Sequence, residues 1–170
     1  LLQDHRKASP KAVTCAILTI SDTRNKETDK SGRFIQSFLG EEGHTVSAYD
    51  VIPDEKCMIE MHINSYGTDI EAVIINGGTG ISKRDVTIEA VKPLLDKELP
   101  GFGELFRMLS YQLDIGSASM LSRAVAGVSQ NRVIFAIPGS SGAVKLAMEK
   151  LILPELGHLV MEVSKDLEQG

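Results

Sequence analysis

The sequence predicts an α/β fold, a three-layer, mostly parallel sheet with helices on both faces. Two observations carry this expectation: β-branched apolar runs alternate with helix-patterned segments, and a glycine-rich turn closes the third run. Ala12 to Ile20 is a continuous apolar stretch between Pro10 and Ser21-Asp22, the pattern of a strand buried on both faces. Gly32 to Leu39 puts Phe34, Ile35, Phe38 and Leu39 at helical spacing and stops at Gly40. Thr45 to Ile52 reads as a second strand, and Asp54 to Tyr66, with Ile59 and Ile63 four residues apart, as a second helix. The third strand, 72 to 75, runs into Asn76-Gly77-Gly78-Thr79-Gly80. Strands separated by helices at this spacing pair in parallel through right-handed crossovers.

In the second half, 87 to 96 and 103 to 113 are helix-patterned. Ala124 to Val128 and Arg132 to Ile137 flank Ser129-Gln130-Asn131, which predicts a β-hairpin adding an antiparallel strand. Pro138-Gly139-Ser140-Ser141-Gly142 then leads into a helix carrying Val144, Leu146, Ala147, Met148, Leu151 and Ile152. This helix and the segment 102 to 111 hold more apolar residues than one helix face covers, which predicts contacts between copies of the chain. Residues 1–11 read as a polar arm and 12–170 as one domain.

The 170 residues, 42% apolar and 24% charged, suffice for one hydrophobic core. A net charge of -5 argues against a general nucleic-acid binder, whose affinity needs clustered Lys and Arg. No stretch reaches the ~18 apolar residues of a membrane span, and LLQDHRKASPK lacks a signal-peptide core, so a soluble protein is expected. Cys15 and Cys57 are both expected to be buried or half-buried thiols; with no CxxC and no paired framework they suit a reducing cytoplasm.

The chemistry concentrates at the strand ends. Gly77 to Gly80 after an apolar strand lets backbone N–H groups approach an anion, and Ser82, Lys83, Arg84 and Asp85 follow directly. A carboxylate beside an anion site makes sense chiefly if it holds a cation or orients a reacting group. Asp22, Asp54 and Asp85 all fall at the carboxyl ends of the predicted parallel strands, where such sheets bind ligands. Helix capping and turn formation are the competing roles for each of them. Two glycine loops (77 to 80 and 139 to 142), these carboxylates, and Ser21, Thr79, Ser82, Lys83, Arg84 and Ser140 form the mixture that phosphoryl or nucleotidyl transfer asks for. Other chemistries fit less well. Ser82 stands where a Walker A loop needs Gly before its Lys, Lys83 stands where a dinucleotide loop needs Gly, and His5, His44, His62 and His158 lack metal-ligand spacing.

Thr19-Ile20-Ser21-Asp22, Ile52-Pro53-Asp54-Glu55, Gly77-Gly78-Thr79-Gly80, Arg84-Asp85-Val86-Thr87, Gly101-Phe102-Gly103-Glu104, Leu121-Ser122-Arg123-Ala124 and Pro138-Gly139-Ser140 occur in order from about Lys11 to about Val160. On these motifs the chain resembles the MoaB/MogA family of molybdenum cofactor biosynthesis proteins, and its MoaB branch most. The resemblance implies a molybdopterin-binding fold that assembles as trimers or hexamers, with molybdopterin, ATP and other proteins of the pathway as partners. It implies adenylylation of the molybdopterin phosphate with Mg-ATP, Asp54 and Asp85 being catalytic and Mg2+ ligands. Ser21, Asp22, Gly77, Gly78, Thr79, Gly80, Ser82, Lys83, Arg84, Pro138, Gly139 and Ser140 are the expected substrate-binding positions. A non-catalytic molybdopterin carrier is the alternative. PGSSG here replaces the PGxP of better-studied relatives.

Overall fold

The computed structural model describes residues 12–165, so the polar arm expected at 1–11 lies outside the described residues. Six strands form one sheet in the order β2-β1-β3-β6-β5-β4. They are β1 (Thr14–Ile20), β2 (Thr45–Ile52), β3 (Ala72–Asn76), β4 (Lys97–Glu98), β5 (Val125–Ser129) and β6 (Arg132–Ile137). Parallel pairing links β2, β1, β3 and β6. β5 runs antiparallel to β6 and to β4, as the hairpin pattern predicts for β5. The hairpin turn is tighter than its sequence indicates: Ser129 pairs with Arg132, leaving Gln130 (φ 50°) and Asn131 (φ 60°) as two left-handed turn residues, the form that matches strand twist.

The helices are α1 (Lys30–Glu41), α2 (Lys56–Ser65), α3 (Thr87–Val91), α4 (Pro100–Leu113), α5 (Ser141–Ala147) and α6 (Leu153–Ser164). The pattern over 87 to 96 splits into a five-residue helix and a short 3-10 turn, Lys92–Leu94, where Pro93 interrupts the ladder. A π turn, Met148–Ile152, joins α5 to α6.

β1, β3 and β6 are buried throughout except at Thr14, so side chains leave both faces of the sheet into separate cores. One core packs Ile17, Ile74 and Phe135 against Ile35, Leu39, Phe106 and Val144. The other packs Leu18, Val73, Ile75 and Ile134 against Ile59, Ile63 and Val91. Two expectations need correction. Val144, Ala147, Met148 and Ile152 are fully buried in the first core, so most of the terminal helix's apolar side is satisfied within the chain; the uncovered surface is on α4, where Leu105, Met108 and Tyr111 are exposed. Cys57 is exposed, because the side of α2 it occupies faces away from the Ile59 and Ile63 stripe. Cys15 is buried as expected, and burial foremost, with Glu71 adding, pushes its thiol up to about 12. Among the described residues no helix is long and apolar enough to cross a membrane.

Candidate functional site

The carboxyl ends of the parallel strands open into a cleft of about 580 Å³. β1 delivers Ser21, Asp22, Thr23 and Arg24 to it, β2 delivers Asp54, β3 delivers Gly77 to Gly80 and then Asp85, and β6 delivers Pro138 and Gly139. Ile115, Ala118, Leu121 and Ser122, from the link between α4 and β5, complete its wall.

The glycine loop owes its shape to close backbone packing. Gly77 has φ 94°, and a Cβ there would overlap the Ile20 carbonyl; the Cβ of any residue at 139 would come within 3.1 Å of the Gly77 Cα. The two glycine loops are therefore in contact, and together they form the cleft floor. Thr87 ties the first loop to α3: its N–H donates to the Gly78 carbonyl at 2.9 Å and its hydroxyl to the Gly77 carbonyl at 2.8 Å. Beneath the floor, fully buried Asp29 accepts from Thr19 Oγ1 and Tyr49 OH, each at 2.6 Å, and from the Gly32 N–H at 3.0 Å. Thr19 in turn accepts from Asn76 Nδ2 at 2.8 Å, so one carboxylate joins β1, β2, β3 and the start of α1.

The three candidate carboxylates have different surroundings. Asp22 takes a bidentate Arg84 fork at 2.9 and 3.0 Å and the Asp54 N–H at 3.1 Å; the Arg84 bonds foremost hold its carboxyl below the ordinary range. Asp54 is pushed up, first by burial, then by the charges of Asp22 and Asp85. Asp85 is pulled down, chiefly by the Ser82 hydroxyl at 2.5 Å, with the Ser82 N–H on the same oxygen at 2.9 Å. Capping accounts for neither Asp54 nor Asp85: the residues preceding α2 and α3 are Glu55 and Val86, and no side-chain cap bond forms at either. Two carboxylates with pKa values displaced in opposite directions thus share the cleft. Among the described residues no three His, Cys, Asp or Glu side chains form a metal cluster.

Of the sequence-predicted positions, Ser21, Asp22, Asp54, Gly77, Gly78, Thr79, Gly80, Asp85, Pro138 and Gly139 line the cleft. Ser82, Lys83, Arg84 and Ser140 are exposed and are not part of that lining. Ser82 holds Asp85; Arg84 is committed to Asp22 and, at 3.1 Å, to Glu55; Ser140 caps α5 by accepting from the Ala143 N–H at 3.3 Å. Arg24 was not anticipated. Its Nη1 donates to Ser31 Oγ at 3.2 Å and reaches the Gly139 carbonyl at 3.5 Å, which aims a cation along the second glycine loop. The available signal was a cation two residues after Asp22 in the same strand-end turn. Ile115, Ala118 and Leu121 carried no comparable signal.

The family model described as a probable molybdopterin binding domain matches residues 16–158. Molybdenum cofactor biosynthesis protein B of Bacillus subtilis is 56% identical over 167 residues, covering 97% of this chain and 98% of that one. The chain belongs to the MoaB/MogA family of molybdenum cofactor biosynthesis proteins. A crystal structure of a molybdenum cofactor biosynthesis protein B superposes with TM-score 0.90 at 57% identity, over 92% of this chain and 99% of that one. The tungsten cofactor synthesizing protein MoaB from Pyrococcus furiosus superposes with TM-score 0.81 at 39% identity, over 91% and 99%. Family members thus share the mixed, mostly parallel sheet and its flanking helices, and this chain acts in molybdenum cofactor biosynthesis.

Proposed function

We propose that the chain binds molybdopterin and adenylylates its terminal phosphate with Mg-ATP. A molybdopterin phosphate oxygen attacks the α-phosphorus of ATP, the bond from that phosphorus to the bridging oxygen breaks, and pyrophosphate leaves with the bond's electron pair. The observation that carries this reading is the pair Asp54 and Asp85, which flank the Gly78–Gly80 turn in one cleft with carboxyl groups displaced in opposite directions. Transfer between two anions is mostly a matter of positioning and charge neutralisation.

The residues fit a divalent ion that enters with its nucleotide: such an ion takes one or two protein carboxylates and completes its shell with phosphate oxygens and water. Asp54 and Asp85 would hold that Mg2+, which supplies charge neutralisation on the triphosphate. Backbone N–H groups of 77 to 80 would receive one anion, and the Pro138-Gly139 turn with Arg24 the other. Arg24, which lines the cleft with its Nη1 3.8 Å from buried Asp29, takes the phosphate-facing role that sequence assigned to Lys83 and Arg84, neither of which lines the cleft. Asp22 acts one step back, holding Arg84 and the Asp54 backbone.

The test is pyrophosphate release by the purified protein, dependent on both ATP and molybdopterin, compared with Asp85→Asn under saturation by both ligands. Loss of at least about 100-fold in kcat, with molybdopterin binding within a few-fold, is the expected result. A parent protein that binds molybdopterin and never releases pyrophosphate is a carrier, and the proposal fails.

A further inference from the structure

We propose that Arg123 is a positioning residue that orients the Thr79–Gly80 peptide and, through it, the Asp85 carboxylate. Arg123 lies between the 3-10 segment Gly116–Leu121 and β5, and it does not line the cleft. Its guanidinium is nevertheless directed at the back of the glycine loop. Nε donates to the Thr79 carbonyl at 2.9 Å, and Nη2 donates to the Gly80 carbonyl at 2.7 Å and reaches the Asp85 carbonyl at 3.5 Å. Nη1 and Nη2 also meet the two carboxylate oxygens of Glu89 on α3. One planar fork therefore grips two consecutive carbonyls of the loop, while Glu89 fixes the fork from the other side.

Peptide planarity turns this grip into a constraint on the cleft. In a trans peptide the C=O and the following N–H point in opposite directions, so holding the Thr79 carbonyl toward Arg123 turns the Gly80 N–H away from it. The Asp85 carboxylate packs against the same residue. The space confirms the fit: a Cβ on Gly80 would lie 2.7 Å from Asp85 Oδ2, so carboxylate and loop are in direct contact. A lysine at 123 would keep the positive charge and lose the fork, because a single ammonium cannot hold two successive carbonyls in a fixed plane. Position and charge are thereby separable by experiment.

The activity part of this inference rests on the adenylyl-transfer reading, so a second readout is independent of it. Arg123→Lys is compared with the parent by amide hydrogen exchange and by steady-state kinetics. Exchange at the Gly80 amide is expected to quicken by about tenfold or more while global unfolding changes little. In the same variant kcat is expected to fall at least about tenfold with KM for Mg-ATP and molybdopterin within about threefold. Should Arg123→Lys fail to fold, Glu89→Gln loosens the same fork from its far side and is expected to quicken Gly80 exchange likewise. Unchanged Gly80 exchange in a folded variant overturns the proposal. A parent without pyrophosphate release removes the adenylyl-transfer reading alone, and the exchange comparison still decides the role of Arg123.

Discussion

Replacing Gly78 with alanine tests the steric connection between the glycine loop and the acidic cleft. Gly78 has φ 64°, a left-handed conformation that costs an alanine about 1 kcal/mol or more. The added Cβ would lie 2.6 Å from Asp54 Oδ1 and closer still to Thr87 Oγ1. Both oxygens must retreat, and the Thr87 hydroxyl then weakens its 2.8 Å bond to the Gly77 carbonyl, a loss of about 1 kcal/mol. With residual crowding of about 1 kcal/mol, the total is about 3 kcal/mol. For a domain of this size that corresponds to a fall in Tm of about 6–12 °C. Gly40→Ala is the contrast, since a Cβ there meets nothing within 4 Å and the position lies inside α1. It is expected to stabilise by about 0.5–1 kcal/mol. Thermal unfolding of both variants without ligand, followed by circular dichroism, gives the comparison. If Gly78→Ala melts within 2 °C of the parent, the packing account of this loop is wrong.

Removing the charge of Asp22 should change its neighbour. Asp54 is raised partly by Asp22, so Asp22→Asn, which also leaves Arg84 with Glu55 as its carboxylate partner, lowers the Asp54 carboxyl toward its ordinary value. The acid limb of adenylyl transfer then moves to lower pH, and carbon NMR of the Asp54 carboxyl reads the same displacement directly; an unmoved titration contradicts it. Asp29→Ala leaves the buried Thr19 hydroxyl, the half-buried Tyr49 hydroxyl and the start of α1 without their acceptor, and urea denaturation is expected to show a loss of about 3–5 kcal/mol. The exposed Leu105, Met108 and Tyr111 on α4 offer a surface for the trimer or hexamer that the family resemblance implies, which sedimentation at micromolar concentration checks; a monomeric mass refutes it.

The inner strands were legible because burial on both faces demands uninterrupted apolar residues: Thr14–Ile20 and the run into Asn76 follow directly from composition. β4 was not, since two exposed charged residues, Lys97 and Glu98, pair with β5 only because the chain passes its edge. At the site, the glycines and the three strand-end carboxylates were legible as residue types with a chemical purpose. Their partners were not. Arg84 sits beside Asp85 in sequence, yet its guanidinium crosses to Asp22, 62 residues earlier, and charge alone cannot choose between a ligand phosphate and a nearby carboxylate. Cys57 shows the same limit on a helix whose apolar stripe is short, where rotating the inferred face by one position exchanges buried for exposed.

The placement of β6 has a consequence for synthesis. β3 is entirely buried, and one of its edges is covered only when β6 arrives, Ala72 pairing with Val133 and Asn76 with Ile137. Until then a growing chain carries an apolar strand with unpaired backbone groups, the kind of edge that recruits other strands. The adjoining β5 and β6 can form early as a hairpin through the Gln130-Asn131 turn, but that hairpin must still find β3 across the intervening helices. Because Pro138 and Gly139 follow β6, the binding cleft comes into existence with the closing of this seam. A bound ligand can accordingly stabilise the finished sheet, where it shifts the equilibrium by mass action, and gives no help to the unfinished chain. Premature termination before residue 137 leaves a product that no ligand can rescue.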